Sequence, residues 1–219
     1  MYWIIEPRGS GQDPPIISIL SSLLERVVER NEQAAPGAAS IQCLPIAQKF
    51  SIFHGLRAPS IGIGKYLERI FKYANCSPSC FVVAYAYIDR FIHQQRTNLP
   101  ITSLNVHRLL ITSVMVAAKF LDDAYYNNSY YAKVGGVTPL EMNRLELEFL
   151  FALRFRLHIT VSTFENYCSL LQREMVLSSS YQIEKPILQY WCGLVDNSVQ
   201  DKPQIPQQQM TVWCSYAGV

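Results

Sequence analysis

The sequence lacks the pairings that metal and redox chemistry require. Its six cysteines, Cys43, Cys76, Cys80, Cys168, Cys192 and Cys214, include no CxxC. Cys76 and Cys80 would have to combine with distant partners to make a zinc site, so the six are expected as reduced packing thiols and no metal site is expected. The four histidines, His54, His93, His107 and His158, are scattered and none sits in HExxH, which points to structural or surface roles. Gly62-Ile63-Gly64 lacks the preceding strand and the third glycine of a phosphate-binding fingerprint. Asp122 and Asp123, consecutive at a helix end, are expected to face water. Glu146 and Glu148, two apart on a helix, point to different faces and form no carboxylate dyad. No catalytic residue, and no cofactor, is expected.

Charge is also scarce. Only 16% of residues are charged, against a typical value of about a quarter, which leaves apolar surface for a partner. Nineteen basic residues stand against 17 acidic ones, for a net charge of +2. With no clustered lysines and arginines, nucleic acid is not an expected partner. The longest nearly apolar stretch, Leu109 to Ala118, is broken by Thr112 and Ser113 and falls well short of the roughly 20 residues that span a bilayer. The apolar run Tyr2 to Ile5 is followed at once by Glu6, Pro7 and Arg8, so a secretory core is missing. The protein is therefore expected inside the cell, in cytoplasm or nucleus, with no membrane partner. A chain of 219 residues can bury roughly two-thirds of its unfolded surface, enough for one domain, alone or with an appendage.

What is present is helical punctuation. After Pro14 and Pro15, residues Ile16, Ile19, Leu20, Leu23, Leu24, Val27 and Val28 recur at three and four, predicting an amphipathic helix that ends near Arg30. Gln33 to Ser40, rich in Ala, Pro and Gly, reads as a linker, which makes the leading helix an appendage. Ser60 after Pro59 opens a helix to Tyr73, weakened by Gly62 and Gly64. Ser77-Pro78 supplies an N-cap and a first-turn proline ahead of Phe81 to Phe91. Thr102 or Ser103 begins Leu104 to Leu121, apolar on nearly every side and so predicted to be central. Thr138-Pro139-Leu140-Glu141 combines N-cap, first-turn proline and capping-box glutamate, and sets Leu145, Phe149, Ala152 and Leu153 on one face. Ser162 with Glu165 repeats that spacing ahead of Phe164 to Met175. Short connections and no period-two pattern predict an all-α domain. Past Ser178 the signals fade, and Lys202 to Gln209 has the proline and glutamine bias of a disordered tail.

Two features are left over. The run Tyr125 to Tyr131, made only of tyrosine, asparagine and one serine, fits a contact surface and, slightly better, a loop packed on a helical core. Lys119 follows the apolar turn Val114 to Ala118 and precedes Phe120 and Leu121. A desolvated lysine there calls for a carboxylate; alternatively it snorkels to solvent at the helix C-terminus.

Val116-Ala-Ala-Lys-Phe-Leu-Asp-Asp123 after a long apolar helix, Tyr87-Ile-Asp-Arg-Phe91 one helix earlier and Leu145-Glu146 one helix later resemble the cyclin box. Val106-His-Arg-Leu-Leu-Ile-Thr112, Tyr131-Ala-Lys-Val-Gly-Gly136 and Phe149-Leu150 are similar to the P-type cyclins, the phosphate-signalling type called U-type in plants. The resemblance covers about Phe50 to Tyr167. It implies a cyclin fold: an N-terminal helix and linker over residues 1–49, one five-helix box over 50–160, an incomplete helical extension over 161–200 and a Gln/Pro-rich tail over 201–219.

The resemblance also implies an activating, non-catalytic subunit of a cyclin-dependent protein kinase, paired one to one, acting in cell-cycle or nutrient-signalling control. The PSTAIRE-type helix of the kinase would lie in a groove between box helices three and five. By position, Lys119 and Glu146 would be the charged pair that hydrogen-bonds the kinase, and Val116, Phe120, Leu150, Phe155 and Leu157 would line the groove. The place of the family's MRAIL substrate-docking motif reads Pro59-Ser-Ile-Gly-Ile63, with Tyr66 where many cyclins carry tryptophan, so Ile63 and Tyr66 mark a degenerate docking patch. Asp89 loses that motif's arginine, leaving either another base such as Arg69 or a different local packing. The rival readings are a kinase-independent cyclin-fold scaffold and a transcription-factor-like adaptor.

Overall fold

The computed structural model describes residues 13–34, 51–94 and 99–179. Seven α-helices occupy them: α1 Pro15–Ala34, α2 Ile63–Ala74, α3 Ser79–Gln94, α4 Val106–Leu121, α5 Asn128–Gly135, α6 Pro139–Ala152 and α7 Val161–Ser179. A single 3-10 turn, Ser51–Phe53, precedes α2, and no strand occurs among the described residues. The predicted tail, and the linker from residue 35 to residue 50, lie outside them.

Two helices share the centre. Every residue of α4 from Leu109 to Ala118 is buried, Thr112 and Ser113 included, as a helix apolar on nearly every side requires. The run Phe81 to Ile88 of α3 is buried as completely, and α3 and α4 pack directly against each other. Around this pair sit α2, α5 and α6 against α4, and α1 and α7 against α3. The 3-10 turn inserts Phe53, fully buried, between Phe91 of α3 at 5.1 Å and Phe149 of α6 at 6.2 Å. Phe91 and Phe149 stack at 5.2 Å. These rings join α3 to α6 in the geometries aromatic pairs favour.

The leading helix is not an appendage. Ile16, Leu20, Leu23 and Leu24 are almost wholly inaccessible, because α1 lies against α2, α3 and α7. At the α1–α2 contact a Cβ on Gly64 would come 2.8 Å from Ser21 Oγ, so the glycine that weakens the start of α2 lets α1 approach. Arg26 of α1 reaches across to the buried Glu174 of α7, 2.5 Å from Nη2 to Oε2. Burial pushes the Glu174 carboxyl up, against the opposing pull of Arg26.

Helix starts differ from expectation where a different side chain takes the cap. Helix α2 begins three residues after Ser60, at Ile63, without a side-chain cap. Helix α7 begins at Val161 because Thr160 Oγ1, rather than Ser162, accepts from Thr163 N at 3.2 Å. Helix α6 starts where predicted, with Thr138 Oγ1 accepting from Glu141 N at 3.1 Å. The Glu141 carboxylate turns to Arg108 of α4 instead of closing a capping box. Helix α5 ends on Gly136, whose φ of 71° lies in the left-handed region that favours glycine. Cys76, Cys80 and Cys168 are buried thiols; burial pushes Cys168 up to about 11.

Candidate functional site

Helices α4 and α6 run side by side and bring Lys119 and Glu146 together. The apolar body of α4 is committed to the core as far as Ala118, so Lys119 emerges at its last turn. On α6, Met142, Leu145 and Phe149 are fully buried, which turns the next residue after Leu145 toward α4. Lys119 Nζ donates to Glu146 Oε1 at 2.7 Å, with the two side chains only 11% and 10% exposed. The lysine therefore has the carboxylate its surroundings call for, and it does not snorkel away.

Asn128, at the start of α5, completes the cluster. Its Oδ1 accepts from Lys119 Nζ at 2.5 Å, and its Nδ2 donates to Glu146 Oε2 at 2.6 Å and to Asn143 Oδ1 at 2.8 Å. Sequence reasoning missed this residue, since an asparagine in an Asn-Asn-Ser run is locally indistinguishable from a turn former. Its neighbour Asn127 behaves as such, capping α5 by accepting from Tyr130 N at 2.9 Å. Of the tyrosine run around it, Tyr131 is fully buried, while Tyr125 and Tyr126 are exposed and Tyr126 stacks on Tyr130 at 4.0 Å.

The apolar residues expected beside the pair divide into two kinds. Val116, Leu150 and Leu157 are buried, and Phe120 and Phe155 are half-buried. On the same two helices Leu121, Leu147 and Phe151 are exposed, Phe151 by 59%. Leu147 and Phe151 were not foreseen, although a helix apolar beyond one stripe signals a second buried or bound face. Phe155 packs edge-on against Phe151 at 5.3 Å. The two helices thus carry a low-exposure ion pair together with large exposed apolar groups, a composition that suits protein binding.

The segment after α6 is held from α3. Tyr87 donates its hydroxyl to Leu157 O at 2.7 Å, and Arg90 Nη1 donates to the carbonyls of Arg156 and His158, each at 3.1 Å. The Tyr87-Ile-Asp-Arg-Phe91 motif therefore has a physical use: it holds the backbone of residues 156–158, with the buried Leu157, against α3. Asp89 is not served by Arg69, which donates to Lys133 O. Its Oδ2 accepts from Tyr167 of α7 at 2.6 Å, and its Oδ1 lies 3.1 Å from His93 Nδ1. The local packing is what differs.

Asp122 does not simply face water. Its carboxylate accepts from Ser77 N at 2.9 Å, Ser77 Oγ at 2.8 Å and Cys80 Sγ at 3.3 Å. The acid at the end of α4 thereby caps the start of α3, where negative charge is favoured. Ile63 and Tyr66 are buried, 7% and 3% exposed. Tyr66 packs on His107 at 4.8 Å and donates to Gly135 O at 3.1 Å. Their side chains support the core in this arrangement and present little to a substrate.

The described residues contain no helix long and apolar enough to cross a membrane. The family profile named Cyclin matches residues 15–157, beginning where α1 begins. The chain is 64% identical to Cyclin-U4-1 of Arabidopsis thaliana over 162 residues, covering 74% of this chain and 77% of that one. It is 56% identical to Cyclin-P4-1 of Oryza sativa subsp. japonica over 162 residues, 74% of each chain. It is 49% identical to Cyclin-U1-1 of Arabidopsis thaliana over 182 residues, 83% of this chain and 84% of that one.

Proposed function

The chain belongs to the cyclin family, in its P/U-type group, and from that premise we propose that it activates a cyclin-dependent kinase by binding the PSTAIRE-type helix of the kinase between α4 and α6. Cyclins are regulatory rather than catalytic proteins, and the cyclin fold supplies five box helices, α2 to α6, of which α4 is the third and α6 the fifth. The observation that carries the proposal is the Lys119–Glu146 pair, 2.7 Å apart, on two helices that also carry the exposed Leu121, Leu147 and Phe151 and the half-buried Phe120, with the half-buried Phe155 just after them. A kinase helix laid there would bury the apolar groups, while the pair meets its backbone or polar side chains, a helix-in-groove mode of recognition. Val116, Leu150 and Leu157 form the floor.

The activating step is positional. In a protein kinase, a glutamate on the mobile helix must pair with the lysine that orients the ATP phosphates. A subunit that grips the helix only in that position shifts the kinase toward its active arrangement by its differential affinity. No group of this chain takes part in the phosphoryl transfer. We assign the complex a one-to-one stoichiometry and a place in cell-cycle or nutrient-signalling control, the latter from the likeness to the phosphate-signalling type.

The test removes the pair together. Lys119→Ala alone leaves a buried carboxylate without its ammonium, at a cost of about 3–5 kcal/mol, so the double Lys119→Ala/Glu146→Ala variant is the cleaner probe. Wild-type and variant chains are used to capture proteins from cell extract, and the captured kinase activity is assayed. Recovery of a PSTAIRE-type kinase and its activity by the wild type alone, from a variant that melts normally, supports the proposal. Equal activation by the folded double variant refutes it, and failure of the wild type to retain any kinase favours a scaffold or adaptor role.

A further inference from the structure

We infer that Asn128 is a positioning residue that locks the Lys119–Glu146 pair before any partner arrives. One amide touches both members of the pair, sharing the lysine ammonium with Glu146 and taking the carboxylate oxygen that the ammonium leaves free of their direct bond. Lys119 Nζ bonds Glu146 Oε1 at 2.7 Å, while Asn128 takes Nζ on its oxygen at 2.5 Å and Oε2 on its nitrogen at 2.6 Å. The result is a closed ring of three side chains from α4, α5 and α6.

The chemistry of the ring calls for an amide. A primary amide presents an acceptor and a donor on one planar group, matching an ammonium on one side and a carboxylate on the other. Turning the amide over would set its NH2 against the ammonium and its oxygen against the carboxylate, so its orientation is fixed by its neighbours. An aspartate would place a second carboxylate against Glu146, and an aliphatic side chain would contact neither. Asn128 is itself held. Its second amide hydrogen goes to Asn143 Oδ1 at 2.8 Å, and Asn127 anchors the start of α5 through Tyr130 N.

The consequence for binding follows from entropy. Lysine and glutamate joined only to each other retain several rotamers, and a partner must then freeze them on association. With the amide in place that ordering is complete in the free chain. The inference about binding rests on the kinase reading above; the inference about the pair rests on geometry alone.

Both are tested in one set of samples. In the isolated chain labelled at lysine nitrogen, wild type gives an ordered, slowly exchanging Lys119 ammonium signal, and Asn128→Ala makes it exchange faster. Affinity for a purified PSTAIRE-type cyclin-dependent kinase falls about tenfold in the same variant, equivalent to ~1.4 kcal/mol. Asn128→Asp, of nearly equal size, is the second variant and guards against misfolding of the first. It binds weakly at neutral pH and recovers as the pH falls, because a proton then replaces the lost amide hydrogen between two carboxylates. A merely structural role would leave that pH profile like the wild type's. An unchanged Lys119 signal and unchanged affinity in both variants, while wild type still binds the kinase, overturns the inference and spares the kinase reading. If wild type binds no kinase, that reading fails, and the Lys119 signal alone decides whether Asn128 positions the pair.

Discussion

Two consecutive residues after α6 adopt left-handed backbone, Arg154 at φ 53° and Phe155 at φ 56°. The cause is the way the helix stops. Phe155 N donates to Leu150 O at 2.9 Å and Arg154 N to Phe151 O at 3.0 Å, the crossed pair of bonds that defines a Schellman ending. That ending turns the chain back over the helix and brings the Phe155 ring onto Phe151, so the apolar patch owes part of its shape to a strained reversal. The position usually taken by glycine is held here by Arg154. A left-handed residue with a side chain costs about 1–2 kcal/mol, whereas glycine costs roughly 0.5–1 kcal/mol in lost chain freedom. Arg154→Gly is therefore expected to raise stability by up to about 1 kcal/mol, read as an increase in the urea midpoint with an unchanged slope. A lower midpoint would show that the arginine side chain contributes more than its backbone costs.

At the scale of elements, α1 decides between two pictures of the domain. As an appendage, it could lose core contacts without affecting the box. Packed against α2, α3 and α7, it should melt with them. Leu24, almost wholly buried, is the probe: Leu24→Ala should cost about 2–5 kcal/mol and lower the single thermal transition of the whole domain. A separate early transition, with the main one unmoved, would restore the appendage. The stripe of apolar residues in α1 was legible from spacing alone, but spacing says only that a face is buried, not what buries it. The same limit explains the helix starts. Thr138-Pro139 is a local signal and marks the start of α6 by itself, while the cap of α3 includes Asp122, 45 residues away from Ser77. In the site, Lys119 and Glu146 stood out as charges amid apolar turns and family motifs. Asn128 did not, because its partners come from two other helices and nothing local distinguishes it from a turn residue.

For the molecule as a whole, the join between α3 and α7 should make stability depend on pH. Asp89 is buried, and it lies between the Tyr167 hydroxyl and the His93 imidazole. Tyr85 packs edge-on to Tyr167 at 6.0 Å, and burial holds both tyrosine hydroxyls above their ordinary range, so they stay protonated. The bond from Asp89 raises the His93 pKa, with burial opposing it. His93 also lies in the last turn of α3, where a cation is favoured. A histidine whose folded pKa exceeds its unfolded value contributes stability that is complete below about pH 6.5 and disappears as the pH rises through the folded value. The difference in unfolding free energy between wild type and His93→Gln should therefore be full below about pH 6.5 and shrink as the pH is raised from there into the alkaline range. Urea unfolding of both chains across that range measures it directly. A difference that stayed constant with pH would mean that His93 acts through packing and its bond to the Asp89 carbonyl at 2.8 Å, and that its charge contributes nothing to holding α3 and α7 together.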